Sequence, residues 1–290
     1  MTNVNLSTRI LLVGMVVLFA ADAEDNAPNP FFAFKNSMES GGPASVDEQV
    51  KILKELGFDG FDNRDLNDLP AALAALDREG LKLCSIYFTV RIDPEEEPFN
   101  PDLEAALPLL KERSTVLWCN THSKRFKPSD PAGDKFAVPI FQRIADLAAP
   151  YGVRVATYPH IGLWVETPQD TARLADKVKR PNFGTSFNLF HWNALGERKL
   201  PLDEVVRIVG PRMFLMSING DVGPHNIGPL EEDDIETYYG VLKAFRDAGY
   251  RGPVGLQCYL IPGDPRTHLG QSFAVWTSLK ERLAKETATP

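Results

Sequence analysis

The chain has 290 residues, 43% hydrophobic, 24% charged and 10% aromatic, which is enough for a sizeable core and too apolar for extended disorder. Its formal net charge is −8 and its isoelectric point lies near 5.2. That balance excludes nucleic-acid backbones and strongly anionic membrane surfaces as partners, because both are held by basic patches.

Residues 1–23 read as a secretory signal. Arg9 supplies a positive start, ILLVGMVVLFA (10–20) is an apolar run of 11, and Ala21-Asp22-Ala23 fits a small-x-small cleavage site. The alternative is a buried N-terminal helix, but the polar DAEDNAPNP follows at once. The run is too short to span a bilayer, which takes roughly 20 apolar residues. Cleavage removes one arginine and one aspartate, so the charge of residues 24–290 stays at −8. The expectation is an exported protein, periplasmic or secreted, with no membrane anchor after cleavage. Cys84, Cys119 and Cys258 each sit in an apolar run without a CxxC pair, so they read as buried small hydrophobes.

Beyond the signal, short apolar runs alternate with amphipathic stretches. FFAFK (31–35) predicts a strand, and 44–57 a helix with Val46, Val50, Leu53 and Leu56 on one face. FDGFD (58–62) leads to a helix over 66–80 that stops at Gly80, and LKLCSIYFTV (81–90) to one over 101–113. TVLWCN (115–120) precedes a helix over 135–152, and VRVATYPH (153–160) a Thr-capped helix over 167–178. NFGTSFN (182–188), RMFLMSING (212–220) and GPVGLQCYL (252–260) precede helices over 201–210, 231–249 and 266–284. Eight strand-then-helix units in one uninterrupted domain, residues 24–290, predict a parallel (β/α)8 barrel, the TIM barrel. The runner-up, a doubly wound open sheet, lacks a G-x-G-x-x-G after its first strand.

Barrel chemistry sits at the C-terminal strand ends. There the sequence places Lys35 and Asn36, then Asp62, Asn63 and Arg64, then Tyr87 inside the third strand. Asn120 and His122 close the fourth strand, Tyr158 and His160 the fifth, Asn188 and His191 the sixth. Ser217, Asn219 and Asp221 close the seventh, and Gln257 and Tyr259 the eighth. Three of the five histidines fall at these ends and His225 follows the seventh, which predicts a convergent polar pocket. Trp118, Trp164 and Trp192 lie in or beside the same rim, where aromatic faces suit pyranose stacking. Any single histidine or tryptophan could equally be a structural residue.

These stretches resemble the xylose isomerase-like barrels, the sugar phosphate isomerase/epimerase superfamily that also includes endonuclease IV. The likeness runs over roughly 30–285 and rests on GFDGFD, REGLKLCSIY, GVRVATYPH, PNFGTSFNLFHW, MFLMSING and GYRGPVGLQCY, with Ser272 and Trp276 in the closing helix. The resemblance implies one divalent metal held by Glu, Asp, His and Glu on strands 5 to 8, with the two glutamates exchanging a proton beside a carbonyl. At those positions this chain carries Tyr158, Asn188, Ser217 and Gln257. The family's D-x-x-H histidine, which contacts substrate, is kept as His191.

Neutral amide and hydroxyl oxygens are poor ligands without a carboxylate, so the expectation is either no cofactor or a single divalent metal (Mn, Zn, Mg or Co) at a rebuilt site. Such a site would use His160 and His191 with Asn188 and Gln257, or with His122. The resemblance then implies a sugar-active isomerase, epimerase or lyase on a keto-sugar or glycoside fragment. His160, His191 or His122 is its general base, and Lys35, Asn120, Tyr158, Asn188, Trp192, Asn219 and Gln257 hold the carbohydrate. The competing expectation is a degenerate barrel that binds carbohydrate without turning it over. An endonuclease IV-like reading needs more metal ligands and more positive charge than this chain offers.

Overall fold

The computed structural model describes residues 29–287 apart from positions 65, 67, 224 and 225. The signal reading of 1–23 and the place of His225 lie outside the described residues. Strands β1 (Phe31–Ala33), β2 (Gly60–Asn63), β3 (Lys82–Arg91), β4 (Val116–His122), β5 (Arg154–Tyr158), β6 (Phe183–Asn188) and β7 (Met213–Ile218) run parallel. A small antiparallel hairpin, β8 (Gly220–Asp221) and β9 (Ile227–Gly228), interrupts the pattern before the last barrel strand, β10 (Val254–Leu256). The barrel closes in the order β1-β10-β7-β6-β5-β4-β3-β2, so the open-sheet alternative is set aside.

Around it lie α1 (Val46–Leu56), α2 (Leu69–Glu79), α3 (Leu103–Ala106), α4 (Asp134–Ala148), α5 (Pro168–Val178), α6 (Leu189–Ala194), α7 (Leu202–Val209), α8 (Ile235–Asp247) and α9 (Pro265–Thr287). Gly80 ends α2 in a left-handed turn at φ 68°, a conformation that glycine adopts without a Cβ penalty. Thr167 and Asp170 form a reciprocal capping box at the start of α5. The helix predicted over 101–113 differs: it is the single turn α3 followed by a 3-10 turn over Leu107–Leu110, with Pro108 where the hydrogen-bond pattern changes. The helix expected after the sixth strand, over 201–210, is α7, and the short α6 comes before it, following Asn188 directly. Among the described residues, no helix is long and apolar enough to cross a membrane.

Two-residue periodicity divides the strand residues between an outer shell and the barrel interior. Phe31 and Ala33, Leu117 and Cys119, Val155, Phe187, Met216, and Val254 and Leu256 pack outward under the helices. Phe32, Phe34, Cys84, Val116, Trp118, Ala156, Tyr158 and Leu215 fill the inside. Gly255 faces that interior, where a Cβ would lie 2.5 Å from the Phe34 ring and 2.6 Å from Phe32, so the aromatic plug requires glycine there. All three cysteines are free and buried, as small hydrophobes would be. Apolar side chains thus seal the lower barrel, and the inward positions one step higher are polar.

Candidate functional site

The upper inward layer is built around Asn188. Its Nδ2 lies 2.9 Å from the Tyr158 hydroxyl, 2.7 Å from Ser217 Oγ and 2.9 Å from Gln257 Oε1. An amide carries two protons, so the three acceptors share them. Its orientation follows from the other end: Asn188 Oδ1 accepts the His191 backbone N–H at 2.9 Å, capping the first turn of α6. The N-x-x-H spacing is therefore an N-cap and its N3 residue. All four side chains are 6% exposed or less. Burial, the largest influence, raises the Tyr158 hydroxyl well above its ordinary range, so it stays a neutral phenol.

Beside this layer lies a cavity of about 310 Å³ lined by Phe34, Lys35, Asn36, Asp62, Arg64, Tyr87, Tyr158, His160, Gln257 and Tyr259. Asp62 is 4% exposed. A register shift where β2 meets β3, Phe61 opposite Leu83 but Asp62 opposite Ser85, marks a bulge at this point of the ladder. One Asp62 oxygen accepts the Lys35 backbone N–H in a short hydrogen bond. Burial pushes the Asp62 carboxyl up to about 7, more than that hydrogen bond and the Lys35 and Arg64 charges pull it down. Lys35 Nζ donates to Asn63 Oδ1 at 2.9 Å, and Arg64 pairs with Glu39 at 2.6 Å.

Three strands away around the barrel, His160 lines the same cavity. Its Nδ1 lies 2.8 Å from the Ile161 carbonyl oxygen. A carbonyl only accepts, so Nδ1 carries the proton and Nε2 keeps its lone pair. Burial lowers the His160 pKa, against the raising effect of its backbone hydrogen bonds. The His191 ring packs on His160 with centroids 3.9 Å apart and planes inclined by 36°. His191 is 2% exposed, and neither ring nitrogen has a hydrogen-bond partner among the described residues. Burial first, then repulsion from His160, holds its pKa well below the ordinary value. It is a neutral ring, lining a second cavity of about 530 Å³ that shares His160, Gln257 and Tyr259 with the first.

Of the expected residues, Lys35, Tyr158, His160 and Gln257 line the first cavity. Asn188 stands directly behind Tyr158 and Gln257, and His191 faces the second cavity. The others do not join them. His122 Nε2 donates to Asn120 Oδ1 at 2.8 Å, and the two form a separate pair at the end of β4 that lines neither cavity. Asn219 turns its Nδ2 to the Gly220 carbonyl at 2.9 Å.

The tryptophan rim is a correction. Trp192 donates to the Leu200 carbonyl at 3.1 Å, packs on Phe187 and lies under Lys199 Nζ, so its N–H and its faces are already used. Trp118 donates to Ser186 Oγ and Trp164 to the Asp130 carbonyl, both 1% exposed. The aromatic walls of the first cavity are instead Phe34, Tyr87, Tyr158 and Tyr259. Asp62 was not singled out as catalytic from sequence. The available signal was a carboxylate two residues past Gly60 in a strand facing the barrel interior.

The donor set does not fit the metal that the resemblance implies. The four matching positions hold no anion, and the amide nitrogen of Asn188 donates toward the oxygens that would have to face a cation. The rebuilt alternative fits no better. The His160 and His191 rings pack against each other as a tilted pair, and His122 spends Nε2 on Asn120. Among the described residues, no three His, Cys, Asp or Glu side chains converge as ligands.

Known proteins resemble this chain at both levels. Over 102 residues it is 28% identical to the inosose isomerase of Bacillus subtilis (strain 168), a stretch covering 34% of this chain and 35% of that protein. The chain thus aligns with about a third of the length of that curated relative. The solved structure of the IolI protein with a bound zinc atom superposes with a TM-score of 0.67 at 14% identity, covering 87% of this chain and 98% of that one. The 3-keto-D-glucoside 4-epimerase YcjR from E. coli also reaches 0.67, at 17% identity over 87% of this chain and 99% of its own. At such identities these two likenesses speak for the fold alone. The model of the xylose isomerase-like TIM barrel family matches residues 50–279, and the chain belongs to that family.

Proposed function

We propose that this chain is an exported sugar isomerase or epimerase-type enzyme that moves a proton on a carbon next to a carbonyl of a keto-sugar or glycoside fragment. One observation carries the reading: Asp62, titrating near 7, and the neutral His160, with its tautomer set, line one cavity from strands three apart around the barrel. His160 Nε2 takes the proton from the carbon. The electron pair of the C–H bond moves onto the carbonyl oxygen as an enediolate, and the carboxyl of Asp62 then returns a proton to the carbon, leaving Asp62 ionised and His160 protonated. Both groups then reset by exchange with water. Tyr87 and Tyr158 stay neutral because burial raises both hydroxyls, Tyr87 to about 12, so each can donate to the carbonyl oxygen. Gln257 and Lys35 line the same space and suit sugar hydroxyls. No step runs through a metal, since the residues at the family's metal positions do not suit one.

The names of the inosose isomerase and the 3-keto-D-glucoside 4-epimerase support a polyhydroxylated ketone as the substrate class. The test is proton exchange in D2O, followed by NMR, over a panel of ketoses and 3-keto-D-glucosides. Deuterium should enter beside the carbonyl with the wild type, and His160→Ala and Asp62→Asn should each slow entry by about 10²- to 10⁴-fold. The neutralised quartet around Asn188 favours a second reading, a receptor that binds such sugars without turnover. Binding without any exchange would establish it and overturn the enzyme. N-terminal sequencing of protein recovered outside the cytoplasm should begin at Glu24.

A further inference from the structure

The second cavity has a different character from the first. Lys35, Asp62 and Arg64 line the 310 Å³ compartment, whereas no lysine, arginine, aspartate or glutamate lines the 530 Å³ one. Its walls are mainly Phe190, Ile227, Pro229, Leu260 and Ile261, with the two neutral histidines at the junction. Four large hydrophobic residues are exposed among the described residues, and three of them, Val222, Tyr259 and Leu260, line this cleft. Leu260 is 61% exposed. It also holds a positive φ of 56°, a conformation a leucine rarely adopts without a reason in its surroundings. Solvent-exposed apolar side chains gathered in a concavity mark a binding site. What covers this one follows from continuity: the cleft opens into the polar compartment across His160, Gln257 and Tyr259.

We infer that the substrate is a glycoside with an uncharged, apolar aglycone, its sugar in the polar compartment and its aglycone in the cleft between α6, β9 and the segment after β10. This rests on the polar compartment being a sugar site, as proposed above. A free monosaccharide would leave the larger, apolar compartment empty of contacts, and a sugar phosphate would put charge where, among the described residues, no lysine or arginine lines the wall.

Calorimetric titration with methyl and phenyl 3-keto-D-glucoside tests it, using the wild type and a Val222→Ser/Leu260→Ser variant. Both substituted side chains are exposed, so the fold tolerates the change. The phenyl glycoside should bind at least about tenfold tighter than the methyl to the wild type, as expected for burying an aromatic ring. In the variant that preference should shrink several-fold while methyl affinity is unchanged. Equal affinities in the wild type, or a preference the variant leaves intact, overturns the aglycone site while leaving the sugar site standing. Failure of both glycosides to bind overturns the sugar site and this inference with it. Sedimentation showing a dimer that the variant dissociates would make the cleft a contact between copies and overturn the inference as well.

Discussion

Replacing Asp62 by asparagine should make the protein more stable at pH 8 and leave it little changed, or less stable, near pH 4. The carboxyl titrates at about 7 in the folded chain against an ordinary 3.8, because burial disfavours its charged form. Between those values the folded state binds a proton that the unfolded state has released, so stability falls as pH rises from about 4 to 7. A span of about three units, at 1.36 kcal/mol each, gives a penalty of about 4 kcal/mol at pH 8 as an upper bound. Asparagine keeps an oxygen for the Lys35 backbone N–H and has no charge to bury. Urea unfolding of both proteins at several pH values isolates the term, because every other group cancels in the difference. The asparagine variant should gain about 2–4 kcal/mol on the wild type between pH 4 and 8. A difference that is flat in pH would refute a buried, high-pKa Asp62, and with it the acid in the proposed proton transfer.

Three further outcomes follow from the same layer. Asn188→Ala removes the cap of α6 and strands the Tyr158, Ser217 and Gln257 oxygens, and should cost about 2–4 kcal/mol in chemical denaturation; a loss under about 1 kcal/mol would mean the network is incidental. His191 is held neutral when folded, while the unfolded ring takes a proton below about 6.5, so stability falls as pH drops through that value. His191→Gln should flatten this acid dependence by up to about 1.4 kcal/mol per pH unit, and an unchanged slope would place the ring in contact with water. Elemental analysis of the purified protein should find less than half an equivalent of tightly bound transition metal, whereas a full equivalent would contradict the hydrogen-bonded reading of the Asn188 quartet.

Barrel and strand ends were legible because their signals are periodic. Continuous apolar runs at regular spacing can be satisfied only by strands covered on both faces, and polar residues at their ends then have one place to go. The period also explains why Tyr158 and Gln257 line the cavity, since their inward parity along β5 and just past β10 is fixed once the strands are. Trp192 shows where pattern stops. Its position beside His191 was correct, but a residue one step further along a helix points about 100° away, and α6 was unseen because it is six residues long. Asn120, His122 and Asn219 reached the right end of the barrel, yet which local carbonyl or amide each side chain would meet depends on loop geometry that strand periodicity does not encode.

Asp62 is the instructive case. A carboxylate at a strand end reads from sequence as an ordinary ionised group, and only its burial, outweighing the hydrogen bond from Lys35 and the nearby positive charges, makes it an acid near neutrality. The chain lacks carboxylates at the strand-5 and strand-8 positions where the family resemblance places its proton carriers, and holds one on β2 instead. In the proposed reaction, acid–base work has moved around the ring from a metal-bound pair to an Asp–His pair lining one cavity. That relocation requires a different kind of electrostatics. A metal site lowers the pKa of its surroundings by positive charge, whereas this cavity raises a carboxyl and lowers an imidazole chiefly by desolvation. Both shifts favour the uncharged form, and the pair then works best where Asp62 still holds its proton while His160 has lost its own. The rate of C–H exchange should therefore be bell-shaped in pH, with its falling alkaline limb near 7 set by Asp62 and removed by no substitution that leaves that carboxyl buried.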